Sequence, residues 1–222
     1  METLHIHTEK LTPKHYIGLF VAIVTITLAF ISYFKSQLSA LSVSIMVILM
    51  MLMLLLIIKL MNTPSVSFTL SFMHCQYHSR YGGWTTTWHN ITDIGHATLG
   101  TQGWYTPLPW IGIRLIDYDD FIGSICPRVA SRILLEQRIL LVMALKSQPD
   151  SLYLLEDMLF DDSPFITTNG EQFRGLQAML ANRMRYNRIF FGFDFFIADD
   201  VIDRPVADFI GLLRRYKAAA SH

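Results

Sequence analysis

The sequence of 222 residues predicts an α+β protein in which a transmembrane helical hairpin precedes a soluble domain. Two long apolar runs, residues 16–34 and 38–58, contain no charged residue. Beyond them, the apolar spacing changes several times between the period typical of strands and the period typical of helices. We therefore divide the chain into a polar N-terminal tail (residues 1–15), the hairpin (16–62) and the soluble domain (63–222).

Each apolar run is long enough to cross a bilayer, which takes about 20 residues in a helix. Only residues 35–37 separate the runs, so the two helices are expected to lie antiparallel as an integral, two-span hairpin. Ser39, Ala40, Ser42 and Ser44 are small enough to allow close helix contact. Such contact between copies of the chain would form a homo-oligomer. The alternative is that these residues face lipid or the other helix of the hairpin.

Basic residues near the ends of the hairpin predict its orientation. Lys10 and Lys14 precede the first run and Lys59 ends the second, whereas Lys35 alone lies at the tip. Because basic residues are enriched on the cytoplasmic side, both termini and the soluble domain are expected to be cytoplasmic.

The composition of the soluble domain argues against nucleic-acid binding. Residues 63–222 contain 14 Lys and Arg against 16 Asp and Glu. A nucleic-acid-binding protein usually has a clear basic excess. Cys75 and Cys126 lie far apart and in no metal-binding motif, so we expect two reduced, largely buried thiols.

The soluble domain is predicted to begin with strands and to end with a helix. Strands are predicted at residues 66–72, 84–94, about 97–101 and 110–116, with a rigid aromatic loop at 103–109. Helices are predicted from Pro127 to about residue 145, at 151–160 and from about 168. In the first, Arg132 and Glu136 share a face. A central strand is predicted at residues 189–198, apolar except at Asp194, and a last helix begins near Asp203.

The segments Trp88-His89-Asn90-Ile91-Thr92-Asp93-Ile94 and Ile202 to Tyr216, following a two-span hairpin, resemble bacterial membrane-anchored pleckstrin-homology-like domains. The whole chain resembles a family of small two-span membrane proteins of unknown function from Gram-negative bacteria. The resemblance implies a pleckstrin-homology-like β domain with a C-terminal helix, interrupted by a helical insertion at about residues 127–186. It also implies the bacterial inner membrane as the location, and it carries over no catalytic residue and no cofactor.

Histidines are the first candidates for chemistry in the soluble domain. His74, His78, His89 and His96 carry zinc-binding side chains, but their spacing matches no familiar ligand set. The alternative is that they are strand and loop residues at the surface. The sequence contains no nucleophile elbow and no phosphate-binding glycine loop. We therefore predict no catalytic residue, no metal and no cofactor.

Two groups of residues are candidates for contact with a membrane or a partner. Trp104, Tyr105, Leu108 and Trp110 form the aromatic group, and Arg183, Arg185 and Arg188 form the basic group. Trp and Tyr favour membrane interfaces, and Arg attracts anionic headgroups. The alternatives are an aromatic loop folded over the β core and arginines scattered in solvent.

These observations predict a non-catalytic interaction module held at the membrane surface. Its partner is expected to be another membrane protein or a cytoplasmic protein. One alternative is the binding of anionic lipid through the basic and aromatic groups. A less favoured alternative is a metal-dependent hydrolase, which requires the histidines and acidic residues to converge on one pocket.

Overall fold

The computed structural model describes residues 2–7, 13–33, 39–61, 66–101, 104–147 and 153–220. The chain forms two compact units. Residues Met1–Thr8 and Val66–His222 make the first, which we call the α+β unit, and Glu9–Ser65 make the second, the helical unit. The predicted mixture of helices and sheets is confirmed in the α+β unit.

The helical unit contains α1 (Pro13–Tyr33) and α2 (Ala40–Met61). The backbone N–H of Ser42 donates to Oγ of Ser39 (3.3 Å), which caps the start of α2. Among the described residues, one window, Leu41–Ile58 in α2, is long and apolar enough to cross a membrane, with a mean hydropathy of 3.1. In α1 the apolar stretch found is shorter, Phe20–Phe30.

A four-stranded antiparallel sheet opens the α+β unit, with the strand order β1-β2-β3-β4. Its strands are β1 (Leu4–His7), β2 (Val66–Leu70), β3 (His74–Ser79) and β4 (Gly82–Thr87). The polar tail expected from the sequence thus contains a strand, whose Ile6 is buried in the core. Four residues are too few for their alternation to stand out from a polar tail, so only pairing with β2 identifies the strand.

A second sheet has the strand order β5-β6-β9, and a short hairpin joins β7 to β8. The strands are β5 (Ile91–Thr101), β6 (Trp104–Leu115), β7 (Phe165–Ile166), β8 (Gln172–Phe173) and β9 (Phe195–Ala198). A 3-10 helix, Trp88–Asn90, interrupts the predicted strand at 84–94. The predicted aromatic loop is part of β6, because a register shift between His96 and Thr98 accommodates Pro107 opposite Thr98.

Six helices are described in the α+β unit. They are α3 (Asp119–Ser124), α4 (Pro127–Glu136), α5 (Arg138–Ser147), α6 (Leu155–Leu159), α7 (Leu176–Phe191) and α8 (Val206–Ala220). The strand predicted at residues 189–198 was wrong in its first half. Helix α7 continues to Phe191 and ends at Gly192, whose φ of 77° is the left-handed conformation that favours glycine. The predicted C-terminal helix is confirmed as α8.

The core of the α+β unit lies between the two larger sheets and their helices. The Trp84 ring contacts the rings of Phe121 and Phe195, with centroids 5.7 and 5.0 Å away. Helix α8 reaches the N-terminal segment, because the Tyr216 hydroxyl donates to the carbonyl of Glu2 (2.9 Å). The start of the chain is therefore held by its last helix as well as by β2.

Two glycines let an aromatic ring lie flat on the second sheet. Gly95 and Gly112 are directly opposite each other in the β5–β6 ladder. A Cβ atom on either would lie 2.7 or 2.3 Å from ring atoms of Phe193. The pair of glycines thus makes room for the residue that connects α7 to β9.

We expect Ile6→Ala to lower the free energy of unfolding of the α+β unit by about 2–5 kcal/mol, because it leaves a cavity under β1. The change is measured by denaturant unfolding of the full chain in detergent, followed by tryptophan fluorescence. All four tryptophans lie in the α+β unit. His7→Ala, at an exposed position of the same strand, is the matched control, with a change within about 0.5 kcal/mol. Equal stability of the two variants would contradict the assignment of β1.

Candidate functional site

A cavity of about 480 Å³ opens where the end of β6, the β7 strand and helix α7 meet. Three isoleucines on its rim are exposed: Ile116 by 68%, Ile166 by 65% and Ile189 by 58%. Arg185 lines the same cavity and is also exposed. We call these four residues the isoleucine surface. Single exposed apolar residues are ordinary, whereas exposed apolar residues grouped together are typical of interaction sites, so this cavity is the candidate site.

The cavity is built on a buried carboxylate, Asp194, which is fully inaccessible. Its Oδ1 accepts hydrogen bonds from the Tyr118 hydroxyl and from Nε of Arg188, both at 2.6 Å. Its Oδ2 accepts from the backbone N–H of Leu115 and from Nη2 of Arg188, also at 2.6 Å. A buried charge is costly unless it is paired and hydrogen-bonded, and Asp194 is both.

Arg188 is held in place by this network. Its Nη2 also donates to the carbonyl of Leu115 (2.9 Å), and its guanidinium lies 5.3 Å from the centre of the Tyr118 ring. Burial raises the pKa of Tyr118, and the negative charge of Asp194 raises it further. Arg188 lines the cavity, but its charge is neutralised by Asp194.

The three arginines predicted to act together have different environments. Arg183 is 2% exposed and donates to the carbonyls of Leu134 (3.4 Å) and Leu159 (3.0 Å). Burial lowers the pKa of the Arg183 guanidinium to about 10. The prediction that Arg183 contacts a membrane or a partner is therefore corrected, because its side chain points into the protein.

Of the three arginines in the basic group, Arg185 is the one whose charge is exposed to solvent. Its guanidinium lies 6.0 Å from the centre of the Phe165 ring, and it forms no ion pair within the described part of the chain. Helical geometry explains the separation, since residues three apart share a face and residues two apart do not. Arg185 and Arg188 consequently face the same cavity, whereas Arg183 faces the core.

The aromatic group does not form one surface. Tyr105 is 75% exposed, whereas Leu108 is buried and Trp110 is partly buried against a small second core. Trp104 begins β6, and its side chain lies outside what the structure describes. The prediction that Leu108 contacts a membrane or a partner is corrected, because its side chain is buried. Side chains alternate between the two faces of a strand, and that of Leu108 is on the buried face.

The histidines do not converge with other ligands. His74 and His78 share the face of β3 opposite the buried Cys75, and Nε2 of His78 lies 2.9 Å from Oγ1 of Thr69. His89 lies in the 3-10 helix and His96 on β5. Over the described ranges, no group of three or more His, Cys, Asp or Glu side chains is arranged to hold a metal.

Neither cysteine is in a disulfide. Burial raises the pKa of the Cys75 thiol to about 12, so at neutral pH it is protonated and a poor nucleophile. Cys126, expected to be largely buried, is exposed.

Comparison with known protein families gives a match over most of the α+β unit. The model of the family described as "Protein of unknown function (DUF2982)" matches residues 68–219, which are most of the α+β unit. No curated protein and no solved structure shows a significant match to the chain.

We expect Tyr118→Phe to reduce the loss of stability at alkaline pH. Because folding raises the pKa of Tyr118, its contribution to stability is complete below about pH 10, the pKa of an unfolded tyrosine, and is lost as the pH rises further. The free energy of unfolding is measured by denaturant titration at several pH values from about 9 to 11. The wild type should lose stability more steeply than Tyr118→Phe.

Tyr105→Phe is the matched control, because Tyr105 is largely exposed. This variant should keep the pH dependence of the wild type. The same slope in all three proteins would contradict a role for the buried Tyr118–Asp194 hydrogen bond.

Proposed function

We propose that this chain, which belongs to the DUF2982 family, is a two-span protein of the bacterial inner membrane that presents a non-catalytic interaction module to the cytoplasm. In this proposal the helical unit is the anchor. The isoleucine surface of the α+β unit receives the partner.

Pairing of β1 with β2 supports two membrane spans. His7 and Val66 are partners in one ladder, so the intervening segment leaves and rejoins the same sheet at neighbouring positions. A sheet does not straddle a bilayer, so this segment must cross an even number of times. If α2 crosses, α1 is the helix available for the return. Its 21 residues span roughly 31 Å, about the thickness of the hydrocarbon core.

The orientation rests on basic residues. Lys10, Lys14 and Lys59 flank the open ends of the hairpin, and Lys35 lies at its tip. This distribution favours the cytoplasm for the α+β unit. The two unpaired cysteines suit a reducing compartment.

The observation that carries the interaction module is the position of Arg185 among three exposed isoleucines, with no ion pair to any described residue. Apolar side chains on a partner would cover the isoleucines, and a carboxylate would pair with the guanidinium. We therefore propose as occupant an apolar, acid-bearing segment of another membrane or cytoplasmic protein. Anionic lipid is favoured less, since each basic residue near a membrane contributes only about 1 kcal/mol and this surface offers one free cation.

Reporter fusions test the anchor. We expect a fluorescent reporter that folds only in the cytoplasm to be active at Met1 and at His222. A phosphatase that is active only in the periplasm should be active when inserted after Lys35. Phosphatase activity at either terminus would contradict the proposed orientation, and opposite results at the two termini would contradict two spans.

Site-specific crosslinking tests the docking surface. A photoreactive amino acid at Ile189 is expected to crosslink one protein in cells, and Arg185→Glu should reduce the yield at least roughly tenfold because it repels the carboxylate. Leu135, 61% exposed and outside the cavity, is the matched position and should give no such product.

The identity of the crosslinked product distinguishes the proposal from its alternatives. Recovery of phospholipid at Ile189 would favour lipid binding, and recovery of the chain itself would make a second copy the partner. Equal products at Ile189 and Leu135 would contradict docking at this surface.

A further inference from the structure

A second cavity, of about 500 Å³, lies apart from the isoleucine surface and shares no lining residue with it. It is lined by residues of both larger sheets and of the α4–α5 junction. We call it the Gln137 cavity and define it by Tyr77, Trp84, Trp110, Glu136, Gln137 and Asp200. Its volume is in the range of cavities that hold small organic molecules, roughly 300–1,000 Å³.

Gln137 places a buried side-chain oxygen at this cavity that accepts no hydrogen bond from the described residues. It occupies the break between α4 and α5 and is 3% exposed. Its Nε2 donates to the carbonyl of Phe196 (2.9 Å), an outward-facing group of the edge strand β9. This bond fixes which end of the amide carries the oxygen. Its Oε1 accepts no hydrogen bond from any described residue.

An unsatisfied buried acceptor destabilises the folded protein, so a hydrogen-bond donor that reaches Oε1 of Gln137 is favourable. Within the described residues that line the cavity, the charges are Arg132, Glu136, Asp199 and Asp200. Arg132 pairs with Glu136 (2.5 Å), and the two aspartates form no ion pair within the described part of the chain. Within the described lining, Asp199 and Asp200 therefore leave a net negative charge at the cavity, which attracts a cation and repels an anion.

The walls favour an apolar, flat molecule. Rings of Tyr77 and Trp84 stack with centroids 5.7 Å apart, and Trp110 of β6 also lines the cavity. Indole faces also attract cations. Burial raises the pKa of Tyr77, and the charges of Glu136 and Asp200 raise it further while Arg132 lowers it, so the phenol is neutral at physiological pH.

We propose that the Gln137 cavity binds a small apolar molecule carrying a protonated amino group. The ammonium group donates to Oε1 of Gln137 and is attracted by Asp199 and Asp200, and its apolar body lies between the aromatic walls. The proposal does not depend on the interaction module, because the two cavities share no residue.

The test uses the full chain in nanodiscs with ¹⁵N-labelled tryptophan, titrated with tryptamine. Trp84 and Trp110 line the cavity, whereas the Trp88 indole donates to Ser71 (2.8 Å) in the core and is an internal control. We expect saturable shifts of the Trp84 and Trp110 indole signals and no shift of Trp88. Indole-3-propionate, of similar shape but opposite charge, should bind at least roughly tenfold more weakly.

Substitutions at exposed positions change stability little, so their effect on binding is not an effect on folding. Asp199→Asn with Asp200→Asn should weaken tryptamine binding by roughly three- to tenfold and leave indole-3-propionate equal or stronger. Asp157→Asn, at an exposed position of α6 outside the cavity, should leave binding unchanged. Gln137→Met should weaken tryptamine binding in the same assay.

Several results would overturn the proposal, and the first three concern binding at the cavity. They are the absence of saturable shifts at Trp84 and Trp110, equal binding of tryptamine and indole-3-propionate, and tryptamine binding that is unaffected by the Asp199 and Asp200 substitutions. Shifts of all four indole signals without saturation would indicate partition into lipid and would likewise overturn it.

Discussion

The pairing of β1 with β2 is the interaction on which the organisation of this protein depends. Leu4–His7 and Val66–Leu70 lie on either side of the helical unit in the chain, yet they are neighbours in one sheet. Ile6 is buried in the same core as Phe68 and Leu70, so the start of the chain is a structural part of the α+β unit. The strand therefore ties the residues that precede the helical unit to the core of the α+β unit.

A second constraint is the short edge strand β9, which is held from both sides. Its ladder with β6 brings Asp194, the residue just before it, within reach of Tyr118 and Arg188. On the other side of β9, Nε2 of Gln137 donates a hydrogen bond to the carbonyl of Phe196. The first set of contacts fixes α7 and leaves Arg185 exposed among the isoleucines. The second fixes the α4–α5 junction and leaves Oε1 of Gln137 without a donor among the described residues. Both cavities thus arise from the way β9 is anchored.

Sequence patterns predicted the elements that are long and periodic. The start of the helix at Pro127, its Arg132–Glu136 pair and the last helix are confirmed, but the single helix predicted to continue to about residue 145 is wrong, because the chain breaks at Gln137 into α4 and α5. The predictions were wrong where the local pattern was short or ambiguous. Alternating phenylalanines at residues 189–198 favoured a strand, but Phe190 and Phe191 belong to a helix whose end is set by Gly192. The prolines of β6 favoured a loop, but a register shift accommodates them in the ladder.

The sequence by itself determined the two apolar runs and the α+β class, because these depend on residues close together in the chain. Only the tertiary structure decided that Ile6 belongs to the core, that Arg183 is buried while Arg185 is exposed, and that no described residue donates to Oε1 of Gln137. Each of these depends on groups distant in sequence, such as Ile6 with Phe68, Arg183 with Leu134, and Gln137 with Phe196. Burial and hydrogen bonding are properties of such neighbours in space, and a linear pattern does not encode which neighbours will meet.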